Sequence, residues 1–295
     1  MTAVLYDLTL HMEYTYETPA SGARHIMRLM PLSLPDRQRL VAGSIAISPQ
    51  PDEQSHFTDF FRHPATSFLL RSPHETLDIR MQARVQVDSR SIAADFSPDL
   101  DRLPEEVAGI WSLEPDSPHH FLASSPRLTE TRAISDYARD CALHGLTVLQ
   151  IANALCTRIN RDFTYDTEAT TVDSTALDAF KLKRGVCQDF VHVMILALRS
   201  LGIPAGYVSG FLRTIPPPGK ERLEGADAMH AWVRVWCGET LGWIELDPTN
   251  DMPAGTDHIV VAYGRDYSDV APVIGVLKSY GGHRAVQAVD VIPIK

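Results

Sequence analysis

Cys187, His230 and Asp247 have the side-chain types of a nucleophile, a base and an orienting carboxylate. Cys187 sits in Arg184-Gly185-Val186-Cys187-Gln188-Asp189-Phe190, where a glycine turn opens a long apolar run. His230 lies in Ala228-Met229-His230-Ala231-Trp232. Asp247 closes Gly242-Trp243-Ile244-Glu245-Leu246-Asp247, ahead of Pro248-Thr249-Asn250. In such a set the thiolate attacks an electrophilic carbon. The imidazole takes the thiol proton and later protonates the leaving amine, while the carboxylate fixes the imidazole tautomer.

The elements around these residues must bring them together. Residues 186–201 are apolar nearly all round, which predicts a helix buried at the centre of a domain and stopped by Gly202 and Pro204. Cys187 then falls in the first helical turn, where unpaired N–H groups and the helix dipole favour an anion. Gly185 allows a tight turn and leaves room above the sulfur. Strands are predicted at about 205–213, 231–236 and 243–246. A two-residue type II′ turn centred on Gly238-Glu239 would pair Cys237 with Thr240 and set His230 directly opposite Asp247. Opposed Cβ atoms lie roughly 5 Å apart, and a register shift of two keeps both residues on one face. Trp232, Arg234, Trp243 and Glu245 share that face; Ala231, Val233, Val235, Ile244 and Leu246 face the core. Hairpin geometry alone leaves an ordinary cross-strand pair equally open.

The 295 residues are 44% hydrophobic, enough for a sizeable core. The net charge of −10 argues against nucleic-acid binding. No apolar run approaches the roughly 20 residues of a membrane span, and no basic-then-apolar leader opens the sequence. Cys141, Cys156, Cys187 and Cys237 are scattered, with no CxxC pair, so a reducing cytoplasm is expected and neither a zinc knuckle nor a disulfide scaffold is.

Residues 1–94 read as a small antiparallel β domain. Leu77, Ile79, Met81, Ala83, Val85 and Val87 alternate with period two, and residues 5–16 and 43–48 do so in part. Residues 95–128, rich in proline, serine and acids, read as a linker; the pair His119-His120 belongs to a loop. Residues 129–295 read as the catalytic core with C-terminal strands, of which 286–291 is the clearest. Helices are expected over 131–143 and 148–161, with Cys156 and Cys141 as small core residues. The loop 215–226, with Pro216-Pro217-Pro218-Gly219-Lys220, is expected to be exposed and to border the cleft.

These segments resemble the transglutaminase-like superfamily, a branch of the papain-like fold, and within it the bacterial transglutaminase-like cysteine proteases with an extra N-terminal β domain. The resemblance is carried by Phe163-Thr164-Tyr165-Asp166, Gly185 through Phe190, Leu201-Gly202-Ile203-Pro204-Ala205-Gly206-Tyr207-Val208-Ser209-Gly210, Ala228 through Trp232, Gly242 through Asn250, and Gly264-Arg265-Asp266-Tyr267-Ser268-Asp269-Val270-Ala271-Pro272. It implies an α+β fold, a Cys-bearing central helix on an antiparallel sheet, and Cys187, His230 and Asp247 as nucleophile, base and orienting acid. Two departures stand out: Met229 where the family usually has serine, and Gly206 where an arginine is common.

Gln188 and Tyr165 are candidates for an oxyanion hole with the Cys187 N–H, and Trp232 for core or cleft wall. Asp189 reads as a helix-start carboxylate, His192 as a core histidine, and Arg265, Asp266, Tyr267 and Asp269 as cleft border or loop network. The expected function is thiol-dependent acyl transfer on a peptide or protein substrate, at peptide, isopeptide or side-chain amide bonds. Water is the expected acceptor, and neither cofactor nor metal is expected. A zinc site at Cys187, His230 and Asp247, amine transfer, and a non-catalytic binding module are the competing readings.

Overall fold

The structure is a computed structural model that describes residues 3–89, 94–215, 225 and 227–294. Most of the proline-rich loop 215–226 lies outside these residues. The first half of the chain is sheet: β1 (Ala3–Met27), β2 (Gln38–Ser48), β3 (Glu53–Thr58), β4 (Pro64–Leu70) and β5 (His74–Asp88). Period-two patterning places Tyr6, Leu8, Leu10 and Met12 of β1, and Leu77 through Val87 of β5, on one buried face. Pro19 falls where β1 changes partners. Ala3 to Thr15, and Ala20 just after it, pair with β5, while Ala23 to Met27 pair with β4.

The second layer contains α1 (Leu103–Gly109), α2 (Arg132–Arg139), α3 (Val148–Asp162), β6 (Thr164–Tyr165), α4 (Ala176–Leu182), β7 (Arg184–Gly185), α5 (Cys187–Ser200), β8 (Ala205–Leu212), β9 (Ala228–Trp236), α6 (Gly238–Leu241), β10 (Trp243–Asp247), β11 (Met252–Pro253), β12 (His258–Gly264) and α7 (Tyr267–Val270). Its antiparallel sheet has the order β11-β10-β9-β8-β12. The central helix α5 packs on it with Phe190, Val191, Val193, Met194, Ile195, Ala197 and Leu198 buried. Thr147 and Gln150 close a capping box that starts α3 at the expected residue. This is the α+β arrangement expected, with the thiol-bearing helix laid on an antiparallel sheet.

Two expectations about organisation differ from the structure. The last strands, β13 (Val273–Lys278) and β14 (His283–Ile294), do not join the sheet under α5. β14 pairs with β1 from Leu5↔Ile294 to Tyr16↔His283, and β13 pairs with the later part of β1. Alternation announces a strand but not which sheet edge accepts it, and β1 offers two edges over 25 residues. The segment 95–128 is also more than a linker. It carries α1 and a short 3₁₀ turn at Pro118–Phe121, and it buries Leu103, Val107, Phe121 and Leu128 in the core.

The connection from β1 to β2 ties the two sheets together. Leu32 N–H donates to Val260 O of β12 at 3.0 Å. The Gln38 amide bonds both the N–H and the C=O of Val260 at 2.8 Å. Arg37 reaches Glu245 of β10 with both guanidinium nitrogens.

Candidate active site

Cys187 is the first residue of α5, preceded by a two-stranded parallel pairing of β6 with β7. Asp189 caps this entry by accepting the Val186 N–H at 2.8 Å and the Thr170 hydroxyl at 2.7 Å. The glycine at 185 is required by that carboxylate: a Cβ there would lie 2.4 Å from Asp189 Oδ2. The room it leaves is therefore taken up by the cap. Burial pushes the Asp189 carboxyl up.

β9 and β10 present the other two residues, in a register shifted by two from the simplest hairpin. Trp236 pairs with Trp243 and Val233 with Leu246. The connection is the four-residue α6, bracketed by Gly238 at φ 84° and Gly242 at φ 63°, instead of a two-residue turn. It is longer because it docks on α1, where Glu239 N–H donates to Glu106 Oε2 at 3.0 Å. The even shift keeps His230 and Asp247 on one face. Trp232 is now level with Asp247, and His230 reaches the carboxylate diagonally, with Nε2 2.7 Å from Asp247 Oδ2.

With Nε2 on Asp247, Nδ1 of His230 is the nitrogen left to serve the neighbouring Cys187 thiol. Burial pulls the His230 imidazolium down. The hydrogen bonds to Asp247 and Cys187 and their charges outweigh it and push the pKa up to about 10. Burial also opposes the Asp247 anion, but the bonds from His230, His258 and Asn250 hold the carboxyl well below the usual range. Asp247 is saturated. Oδ1 accepts the Thr249 N–H at 2.9 Å and the Asn250 N–H at 3.3 Å. Oδ2 accepts His230, the Asn250 amide at 2.7 Å and His258 Nε2 at 3.2 Å. Asn160 on α3 holds this turn by donating to Thr249 O at 2.8 Å.

Sequence reading missed His258. Its one signal was a histidine opening the apolar run Ile259-Val260-Val261-Ala262. Asn250 stood in a quoted motif without a role. The ligand atoms of His230, Asp247 and His258 lie within 4.8 Å of one another. However, His258 Nδ1 accepts the Gly255 N–H at 3.2 Å, so its Nε2 carries the proton and is not free to ligate.

The other candidates separate. The Tyr165 side chain is 55% exposed; partial burial, and then the charge of Cys187, push its hydroxyl up. Gln188 donates to Val172 O at 3.4 Å, holding the loop before α4. Trp232 is 0% exposed and donates to Glu245 Oε2 at 2.5 Å, so it backs the site and does not wall the cleft. Its ring lies between Leu32, Val208 and Val260. His192 is a core histidine accepting the Tyr267 N–H at 3.3 Å. Arg265 pairs both ways with Asp269 at 2.8 and 2.9 Å, and Asp266 accepts the Arg127 and Ser268 N–H groups, so this segment is a loop network. His119 and His120 donate to the Ile110 and Leu113 carbonyls. The position of the missing arginine is four residues along the strands from His230: Gly206 pairs with Arg234. A Cβ at 206 would meet Gly264 O and Phe121 at 2.9 Å, in space that Arg234 fills between Phe121, Trp243 and Tyr263.

Two family models match the chain: a transglutaminase-like superfamily core over residues 135–248, and a bacterial transglutaminase-like N-terminal region over residues 6–86. An uncharacterized protein of Mycobacterium tuberculosis is 34% identical over 297 residues, covering 98% of this chain and 93% of its own. One from Mycobacterium leprae is 32% identical over 273 residues, covering 91% of each. Among solved structures, a candidate cysteine protease of Cytophaga hutchinsonii aligns with a TM-score of 0.77 at 20% identity, over 100% of this chain and 92% of that one. At that identity the likeness speaks for the fold.

Proposed function

The chain belongs to the transglutaminase-like superfamily, and from that premise we propose a thiol-dependent acyl-transfer enzyme acting on peptide, isopeptide or side-chain amide bonds, with water as acceptor. The observation that carries this reading is His230 bonded to Asp247 while it faces Cys187, the first residue of a buried helix. Cys187 Sγ attacks the amide carbonyl, forming a C–S bond and a tetrahedral oxyanion. The Cys187 backbone N–H, in the first turn of α5 and without an intrahelical acceptor, is a donor for that oxygen, with Tyr165 as a second candidate. Collapse breaks the C–N bond, and the His230 imidazolium gives its proton to the leaving amine. Neutral His230 then takes a proton from water as the oxygen attacks the thioester; collapse of the second tetrahedral oxyanion breaks the C–S bond, His230 returns the proton to the sulfur, and the acid leaves with Cys187 restored.

All four cysteines are free, which favours a reducing compartment such as the cytoplasm. No helix of the described residues is long and apolar enough to cross a membrane. The reading is tested by presenting peptide, isopeptide and glutamine-amide substrates to the parent and to Cys187→Ala, with excess labelled primary amine. Free acid formed by the parent alone is expected. Labelled adduct exceeding free acid at modest amine concentration makes the chain an amine transferase. Equal turnover by Cys187→Ala removes the thiol from the chemistry.

A further inference from the structure

We propose that His258 is a positioning residue of this site, a neutral imidazole that donates a proton to Asp247 and holds the carboxylate on His230. The inference rests on the reading of Cys187, His230 and Asp247 as one catalytic set. It adds a fourth member, from a strand three positions across the sheet.

The tautomer follows from the turn that carries the ring. His258 N–H donates to Gly255 O at 3.1 Å, and Gly255 N–H returns to His258 Nδ1 at 3.2 Å. A ring nitrogen that accepts a backbone N–H is unprotonated, so the proton sits on Nε2, 3.2 Å from Asp247 Oδ2. Both side chains are fully buried. The Trp232 ring meets His258 edge-on at 5.1 Å and lies nearly parallel to His230 at 6.1 Å, so neither imidazole can swing toward it.

The sheet makes room for this contact. Gly210 of β8 is the register partner of His230. A Cβ at 210 would lie 2.1 Å from Ile259 O and 2.5 Å from the Trp232 ring. Only glycine lets the start of β12 close in on β8 and bring His258 over the site. Two residues further on, Val260 is fixed by Leu32 of the β1–β2 connection and Gln38 at the start of β2. The ring is thus held from both sides of the molecule.

Holding matters because a carboxylate pivots about its Cβ–Cγ bond. Oδ1 is pinned by two backbone N–H groups. Oδ2 must be aimed at His230 Nε2, and the donors from Asn250 and His258 set that direction. A neutral donor does this without bringing a second cation into the buried site. The titratable groups facing Asp247 and its partners are Cys187 from α5, Cys156 from α3 and Asp251 from the turn after β10.

The test compares His258→Leu, which has no donor, with His258→Gln, whose amide can reach Asp247. For His258→Leu, kcat is expected to fall about tenfold to a hundredfold. KM should stay within about twofold, and the midpoint of the His230 ring titration, followed by NMR, should move down. His258→Gln should recover most of the loss in kcat and restore the midpoint. A folded His258→Leu with the parental kcat and His230 midpoint overturns the proposal, as does a folded His258→Gln no better than His258→Leu. If His258→Leu does not fold, His258→Asn replaces it, since its shorter amide falls short of Asp247. Equal kcat and midpoint in the Gln and Asn variants then overturn the role. The titration is repeated in Cys187→Ser. Full turnover by that variant sinks the thiol mechanism, while the His230 midpoint still decides on His258.

Discussion

Arg37 and Glu245 meet fork to fork across the boundary between the two sheets, both guanidinium nitrogens on both carboxylate oxygens. Glu245 also accepts Tyr263 Oη–H at 2.9 Å and Trp232 Nε1–H at 2.5 Å. Burial pushes its carboxyl up, and Arg37 more than offsets this. The β1–β2 connection therefore supplies the counter-ion of a carboxylate that fixes the tryptophan behind His230. Arg37→Met leaves Glu245 buried without its cation and is expected to cost about 3 kcal/mol in urea unfolding. The double variant Arg37→Met, Glu245→Gln removes the charge as well and should recover more than half. No recovery would mean that the pair matters for packing and not for charge.

Cys187 is expected to be alkylated first among the four thiols. It alone is partly accessible and faces a histidine; Cys141, Cys156 and Cys237 are buried. Burial pushes the Cys156 and Cys237 thiols up to about 12, which further slows them. Limited iodoacetamide treatment and peptide mapping checks this. Faster labelling of any other cysteine contradicts it.

His230→Ala and Asp247→Asn should fold and lose turnover to different extents. In the proposed mechanism His230 moves the proton, so its removal is expected to cost more. Asp247 orients the ring, and its amide variant still loses on the order of 10³–10⁴ in kcat if it behaves as in other triads. Turnover measured at equal concentrations of folded protein decides. Unchanged rates in both variants would show that the pair is only cross-strand packing.

Stability and activity should share a pH window. A histidine with a raised folded pKa contributes stability that is complete below about 6.5, its unfolded value, and that is lost as pH rises through about 10. The depressed Asp247 contributes stability present above about 3.9 and lost as pH falls through its folded value. The stability difference between parent and His230→Ala should thus shrink between pH 6.5 and 10. The high-pH limb of kcat/KM should lie near 10 in the parent and lower in Asp247→Asn. A parental limb near 6.5 would mean that Asp247 does not support the imidazolium.

Chelation should leave turnover unchanged. The one buried cluster of histidine and carboxylate ligands among the described residues has its imidazole protons committed, His258 by the Gly255 N–H and His230 by Asp247. Loss of activity in EDTA, restored by zinc, would contradict that protonation pattern.

The site was largely legible because its signals are local. A glycine before an all-round apolar run placed Cys187 at a buried helix start, and strand parity kept His230 and Asp247 on one face even though the turn was read two residues short. What escaped depended on distant chain segments. α6 lengthened the turn by docking on α1. His258 reached Asp247 across β8 because Gly210 lacks a side chain. Arg37 came from the distant connection between β1 and β2. Periodicity marked residues 286–291 as a strand, but pairing with β1 is decided by which edge is free, and no local pattern encodes that.

The pairing of β1 with β14 also sets an order of events. Leu5 and Ile294 are neighbours in the sheet, yet almost the whole chain lies between them. During synthesis β1 emerges first and pairs with β5, while its other edge stays open until the catalytic layer and β14 have been made. Such distant pairing gives a high contact order, and an open edge over so many residues is a template for misassociation. Vectorial folding therefore has to finish in the second layer before the first can be sealed. The last strand to arrive is the one that shields the edge of the first.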